Sequence, residues 1–380
     1  MFGGRFKQLF LILAFIATIC SVGLSQLIFD LVDGQIPQIA ELFMQKPTRA
    51  NLRAFETDLQ DNCRLTKKLR PWIQCVQFII LGELGDKVVV GHNRWLFYRP
   101  AVQYLIEPWS PETDRVQGDI FSAITSFRDQ LAERGIKLLV APVPNKASVY
   151  PDMLTRRAKH TEKPVNYKTL EIISLLRQAG IEVVDLFATF RYGRSGLIPD
   201  ENKNYYLYRD SHWSPVGMRL AAKTVGQKIL ELGWVEKGQT EYTLKPVEVK
   251  WQGDILRMIQ VPQVENMFEQ ERIKCVQVVK AATQQPYQDD PPSEVLVLGD
   301  SFCRIYSQDE PSAAGFAEHL AYELGSAVTS IVNDGGASTL VRQQLSRNPN
   351  LFANKKVVVW QFVERDIRFG TEGWQIVPLP

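Results

Sequence analysis

The chain has 380 residues, 45% of them hydrophobic and 23% charged. Those proportions describe a folded globular protein, and the length suits one large domain or two modest ones. A formal charge of +2 gives no basic footprint for a nucleic-acid partner, and five cysteines are too few for a disulfide scaffold.

Arg5 and Lys7 precede an uncharged apolar stretch, "LFLILAFIATICSVGLSQLIF", over 9–29. About 20 apolar residues span a bilayer as a helix, and positive charges ahead of such a span favour a cytoplasmic N-terminus. The stretch is longer than a signal-peptide core, and the region around Gly23 and Ser25 is a poor cleavage site. Residues 1–30 therefore read as an uncleaved membrane anchor, with the rest of the chain outside the cytoplasm; a cleaved signal peptide is the competing reading. Residues 31–86 read as an amphipathic helical stalk. It holds Cys63 and Cys75, which can bridge in an oxidising compartment or remain buried thiols.

From 87 onward strands and helices alternate. "KVVVGHNRWLFYRP" (87–100) reads as strand, turn, strand, and 111–135 as a helix. "IKLLVAPVP" (136–144) is a continuous apolar strand, 165–180 a helix closed by a glycine, and 181–187 another buried strand. Ser214 and Pro215 open a helix over 214–233. Residues 237–290 break the alternation as a β-rich insertion. It then resumes with strands over 294–301, 326–336 and 355–362 and helices over 311–324 and 338–347. Apolar strands alternating with helices predict a parallel sheet covered on both faces, with its functional site at the carboxyl ends of the strands.

Ser301 stands at such an end, in "LVLGDSF". A serine hydroxyl becomes a nucleophile when a base takes its proton and a carboxylate orients the base. Among the four histidines, His212 lies two residues after Asp210 in "YLYRDSHWSP" (206–215). In an extended segment residues i and i+2 face the same side, so Asp210 can hold His212 Nδ1 and leave Nε2 for Ser301. Taken alone, Gly-Asp-Ser is a common turn, and Asp-x-His can be a cap or part of a metal site. Their joint placement at strand ends favours catalysis.

"GDSF" (299–302) resembles the nucleophile block of the SGNH hydrolase superfamily, and "RDSHW" (209–213) its Asp/His block, in reversed chain order. With "VGHNRWLFYRP" (90–100), "VPNKASVYP" (143–151), "GDILRMIQVP" (253–262), "NDGGAS" (333–338) and "VVVWQFVERD" (357–366), the set resembles the AlgX/AlgJ-like polysaccharide O-acetyltransferases of bacterial alginate production. The resemblance implies a circularly permuted SGNH/flavodoxin-like α/β domain over 87–370. It makes Ser301 the nucleophile, His212 the base and Asp210 its orienter. The oxyanion candidates are the Ser301 amide, Asn333, Gly335 and Gly336; the Gly-x-Asn-Asp block usual in the superfamily does not follow the last strand. Lys146, Trp95 and Trp213 are candidate substrate contacts, with Tyr98 and Trp360 as further aromatics that can stack on sugar or fill the core. Cys303 reads as packing. The resemblance further implies a periplasmic catalytic domain, a polysaccharide substrate, a membrane-bound O-acyltransferase as acetyl donor, and neither cofactor nor metal. Acetyl transfer, ester hydrolysis on the same triad and a non-catalytic export scaffold all fit the residues, and the polymer is not legible.

Overall fold

A computed structural model describes the chain except for residues 1, 36, 38–39, 41–43, 45, 47, 109–118, 161–163 and 196–203. It divides into two compact units. One comprises Met1–Leu84 with Gln260–Phe268, the other Gly85–Ile259 with Glu269–Pro380.

The first unit is helical, with helices Phe2–Val32, Arg49–Asn62 and Arg64–Leu81. No single helix among the described residues is long and apolar enough to cross a membrane. Gln8–Ser21 and Gly23–Val32, bent by 45°, reach that length and apolarity only as a pair. Gln26 joins two of the helices, donating to Asp30 at 2.7 Å and accepting from the Arg64 amide at 3.1 Å. Cys63 and Cys75 are both buried, and Cys75 is a free thiol.

The second unit is built on five parallel strands: β3 (Lys137–Val143), β4 (Glu182–Val183), β7 (Val295–Gly299), β8 (Thr329–Val332) and β9 (Val357–Val363), in the order β4-β3-β9-β7-β8. Counted from β7 and wrapped through the chain ends, that order is 2-1-3-4-5, the flavodoxin-like sequence of strands. The strands read as unbroken apolar runs because both faces are buried. Leu139, Ala141, Val297 and Val359 meet helices Pro215–Glu231 and Phe316–Leu324 on one side. Val140, Leu298, Val358 and Trp360 meet helices Ile120–Ala132, Tyr167–Gln178 and Leu340–Ser346 on the other. β1 (Val88–Val90) and β2 (Leu96–Tyr98) form a small antiparallel pair, as do β5 (Tyr242–Trp251) and β6 (Glu271–Lys280).

The helix read over 111–135 occupies Ile120–Ala132; its first eight positions lie outside the described residues. The strand read over 181–187 is only two residues long. The Asp185 side chain caps the amide of Ala188 at 2.8 Å and starts a helix at Leu186, so the apolar pair Leu186 and Phe187 packs from a helix and not from the sheet. The segment around His212 is a series of bends with one bridge, Tyr206 to Trp213, not an extended strand.

Candidate active site

The carboxyl ends of β7, β8, β9 and β3 deliver Asp300–Ser301, Asn333–Gly336, Glu364–Asp366 and Asn145–Lys146 to one edge of the sheet. β7 stops because Asp300 turns its side chain back on the chain. Its carboxylate accepts from the amides of Phe302 and Val363, both at 2.9 Å, and from Gln361 Nε2 at 3.0 Å. Those bonds start the short helix Ser301–Arg304 and tie it to the end of β9. A Cβ on Gly299 would lie 2.4 Å from Cys303 Sγ, so only glycine lets the turn close this tightly. Ser301 is thus presented at the helix start, half-buried.

His212 Nε2 lies 2.8 Å from Ser301 Oγ, and His212 Nδ1 lies 2.7 Å from Asp210 Oδ1. The same carboxylate oxygen accepts the His212 backbone amide at 2.9 Å. An Asx-type turn, and not alternation along a strand, therefore sets the two-residue spacing. Asp210 Oδ2 accepts from Trp251 Nε1 at 2.8 Å and from the Asp254 amide at 3.0 Å. Burial alone would raise the Asp210 pKa, but His212 and these donors overcome it and hold the carboxylate well below its usual range. His212 shows the converse balance: burial pulls its pKa down, and the charge and hydrogen bond of Asp210 raise it above 6.5. The array therefore has a histidine oriented as a base, with a permanently ionised partner.

Asp254 is a functional neighbour that sequence reading missed. It follows the last residue of β5 by three positions, accepts from the Ser211 amide at 2.6 Å and hydroxyl at 2.5 Å, and lies 3.5 Å from His212 Nδ1. Burial, and then repulsion from Asp210, push its pKa up to about 6. A Cβ on Gly253 would lie 2.0 Å from the Arg209 carbonyl oxygen, so this contact requires glycine. "GDILRM" carried that signal as a Gly-Asp pair, but only the fold shows which backbone it approaches. Asp210, His212 and Asp254 offer three potential metal-ligand atoms within 4.8 Å of one another. Asp210 already accepts four hydrogen bonds there, which leaves its oxygens committed to donors and not to a cation.

Ser301 and His212 open onto a cleft of about 550 Å³, also lined by Tyr98, Gly335, Arg365 and Asp366. Of the predicted oxyanion donors, the amides of Ser301 and Gly335 have no protein partner among the described residues. The Gly336 amide donates to the Asn333 carbonyl at 3.0 Å, and neither of those residues lines the cleft. The three predicted substrate contacts are elsewhere. Lys146 is buried, its ammonium donating to the carbonyls of Leu96 (2.6 Å), Tyr208 (2.8 Å) and Asp210 (3.1 Å). Trp95 is buried against Tyr150 at 4.6 Å, beneath that ammonium. Trp213 is buried between Phe302 and Phe316, with ring centroids at 5.3 and 5.7 Å. Trp360 is likewise core, donating to Ala337. All four are buried, so none offers its side chain to a ligand in the cleft. Tyr98 alone of the four aromatics lines the cleft. Cys303 packs as read, its Sγ 3.1 Å from Gln361 Oε1 and its thiol pKa pushed up by burial.

A parallel α/β domain that presents a serine at a strand end, in hydrogen-bonded series with a histidine and an aspartate from a neighbouring loop, has the architecture of a serine-dependent acyl-transfer enzyme. The family model described as SGNH hydrolase-like domain, acetyltransferase AlgX, matches residues 88–364. The chain belongs to this family, and with it to the SGNH-type O-acetyltransferases. It is 23% identical over 323 residues to the probable alginate O-acetylase AlgJ of Azotobacter vinelandii, covering 82% of this chain and 78% of that one. The O-acetyltransferase domain of Pseudomonas putida AlgJ superposes with a TM-score of 0.59 at 21% identity, over 74% of this chain and 92% of that one. Pseudomonas aeruginosa AlgX superposes with a TM-score of 0.54 at 21% identity, over 73% and 61%.

Proposed function

We propose that the chain transfers acetyl groups to hydroxyls of an exopolysaccharide through an acetyl-Ser301 intermediate. The carrying observation is the continuous path from Ser301 Oγ to His212 Nε2 (2.8 Å) and from His212 Nδ1 to Asp210 (2.7 Å). As Ser301 Oγ attacks the acetyl carbonyl, His212 takes the hydroxyl proton and Asp210 stabilises the imidazolium. The oxyanion is met by the amides of Ser301 and Gly335, fixed donors with no other partner to give up. His212 then protonates the leaving group, and acetyl-Ser301 remains. A sugar hydroxyl enters, gives its proton to His212 and attacks the ester, and His212 returns the proton to Ser301 Oγ. Relatives named as probable alginate O-acetylases support a polysaccharide as acceptor.

In this reading the domain works in the periplasm, held to the inner membrane by residues 1–30, beside a membrane-bound O-acyltransferase that supplies the acetyl group. Tethering to the same membrane raises the effective concentration of the pair without new contacts. The bent apolar pair Gln8–Ser21 and Gly23–Val32 is the segment that would serve as anchor. The 2-1-3-4-5 strand order counted from β7 supports a circular permutation: the chain is opened between strand positions 3 and 4, so the serine block follows the histidine block.

The full chain in detergent, given p-nitrophenyl acetate with and without alginate oligosaccharide, tests this. Acetyl adduct on Ser301 and acetylated sugar are expected. Acetate alone, in the presence of sugar, would make the enzyme a hydrolase. Equal ester turnover by wild type and S301A would remove the catalytic role altogether.

A further inference from the structure

Most charged groups around the cleft are already paired within the protein. Arg304 is locked by Asp334 and Asp309, with nitrogen–oxygen distances of 2.8 and 2.6 Å. Asp254 is occupied by Ser211. Asp366 is different. It follows β9 by three residues, is 5% exposed and lines the same cleft as Ser301. Its Oδ2 is buried without a hydrogen-bond partner, and among the described residues no donor or cation is bonded to either carboxylate oxygen. Its backbone is rigidly held, the carbonyl accepting from Trp374 Nε1 at 2.8 Å and from the Gly370 amide at 3.1 Å. The side chain is therefore not a mobile surface group that happens to point inward. Arg365 lines the cleft beside it, its charge opposing the rise of the Asp366 pKa but with no salt-bridge contact among the described residues, and its guanidinium lies over the rings of Tyr98 (5.2 Å) and Phe302 (5.8 Å).

Buried carboxylates are hydrogen-bonded in nearly all folded proteins, because leaving one without a donor costs more than a hydrogen bond returns. Burial pushes the Asp366 pKa up to about 7 against the opposing charge of Arg365, so above about pH 8 the side chain is a carboxylate with no protein donor in a catalytic cleft, the polarity of an acceptor for a ligand O–H. A polysaccharide brings such donors in quantity, whereas the acetyl group brings none.

We infer that Asp366 is a specificity-determining residue that accepts a hydrogen bond from a hydroxyl of the acceptor sugar and so orients the sugar toward acetyl-Ser301. This rests on the acetyl-transfer reading and adds the acceptor side of the site, which the triad does not define. Asp366 works in the second half-reaction only, because the acetyl group carries no hydroxyl to bind.

The two half-reactions separate the inference from the reading on which it rests. The full chain is first acetylated with p-nitrophenyl acetate and the adduct on Ser301 followed by mass spectrometry. Its loss is then followed against increasing alginate oligosaccharide and, in parallel, cello-oligosaccharide. At about pH 8.5, where Asp366 is ionised, D366N is expected to be acetylated, and to need roughly 10- to 100-fold more oligosaccharide for half-maximal transfer, the worth of one hydrogen bond to a charged group. D366E, which keeps the charge but displaces it by one methylene, should fall between D366N and wild type. If D366N is not acetylated, D366E alone decides. An acceptor dependence equal to wild type in whichever variants are acetylated overturns the inference. So does an acetylated wild-type enzyme whose loss of acetyl neither oligosaccharide accelerates. Absence of acetyl-Ser301 in wild type overturns instead the acetyl-transfer reading.

Discussion

Replacing Lys146 by methionine separates what holds this site from what reacts in it. The ammonium binds three carbonyls, two of them on the loop that carries Asp210, and it lies 5.0 Å over the ring of Trp95. Burial pulls its pKa down from 10.5 to about 7, against the opposing charges of Glu271, Asp210 and Asp254. That displacement corresponds to about 5 kcal/mol against the charged form, at 1.36 kcal/mol per pH unit. Three hydrogen bonds from a charged donor contribute roughly 5–9 kcal/mol in the other direction. The difference is small, so K146M should lose only roughly 0–4 kcal/mol at pH 7. The pH dependence is sharper. The folded-state pKa is depressed, so the unfolded chain binds more protons between about 7 and 10.5, and the penalty is full below pH 7 and fades above it. Wild type should therefore gain about 2–3 kcal/mol relative to K146M between pH 7 and pH 9. Urea unfolding of both proteins at the two pH values, read by the fluorescence of buried Trp95, Trp213 and Trp251, measures this. Turnover of p-nitrophenyl acetate should fall roughly 10- to 100-fold, since a shift of about 1 Å in a catalytic group has that effect. A stability gap flat in pH, or full activity in K146M, would refute the reasoning.

Two further substitutions probe the other supports. D254N removes a charge that raises the His212 pKa, so the acid limb of the pH–rate profile should move to lower pH. The neutral imidazole needed as base then persists further into acid, while kcat falls by less than on loss of Asp210; an unmoved limb argues against electrostatic contact between the two. G253A drives a Cβ to within 2.0 Å of the Arg209 carbonyl oxygen. It should destabilise the domain by roughly 1–3 kcal/mol, typical of overpacking, and lower ester turnover by displacing Asp254; thermal unfolding and a turnover assay measure both.

What could be read in the chain followed what is local. Ser301 was legible because an apolar run ending in Gly-Asp-Ser announces a strand end, and sites in parallel sheets lie there. Asp210 and His212 were legible as a pair for the right spacing but the wrong geometry: an Asx-type turn, not a strand, brings them together. Lys146 was misread because a lysine at a strand end looks the same in sequence whether it faces solvent or binds three carbonyls. Trp95 and Trp213 resemble Tyr98 in sequence, and burial distinguishes them only once β2 and the helix Pro215–Glu231 are packed. Asp254 was illegible because its partner, the 209–211 backbone, lies more than forty residues away in the chain and is reached only through a glycine contact.

The polar groups of this edge of the sheet fall into two kinds, and the division predicts how each will respond to change. Asp210 has four donors, Asp300 three, and Glu364 four: the Asn145 amide and the side chains of Ser148, Asn166 and Thr169, at 2.5–2.8 Å. These groups are spent on geometry. Each fixes a loop at this edge of the sheet, and a fixed loop needs no reorganisation when charge develops in the transition state. The Ser301 and Gly335 amides, Arg365 and Asp366 face the cleft with bonding capacity left over. A site that transfers an acetyl group between two partners needs both kinds, since groups already saturated cannot recognise a substrate and unsaturated ones cannot hold a loop. Removing a saturated group should therefore lower kcat and stability together, and removing an open one should act chiefly on the concentration of donor or acceptor the enzyme requires.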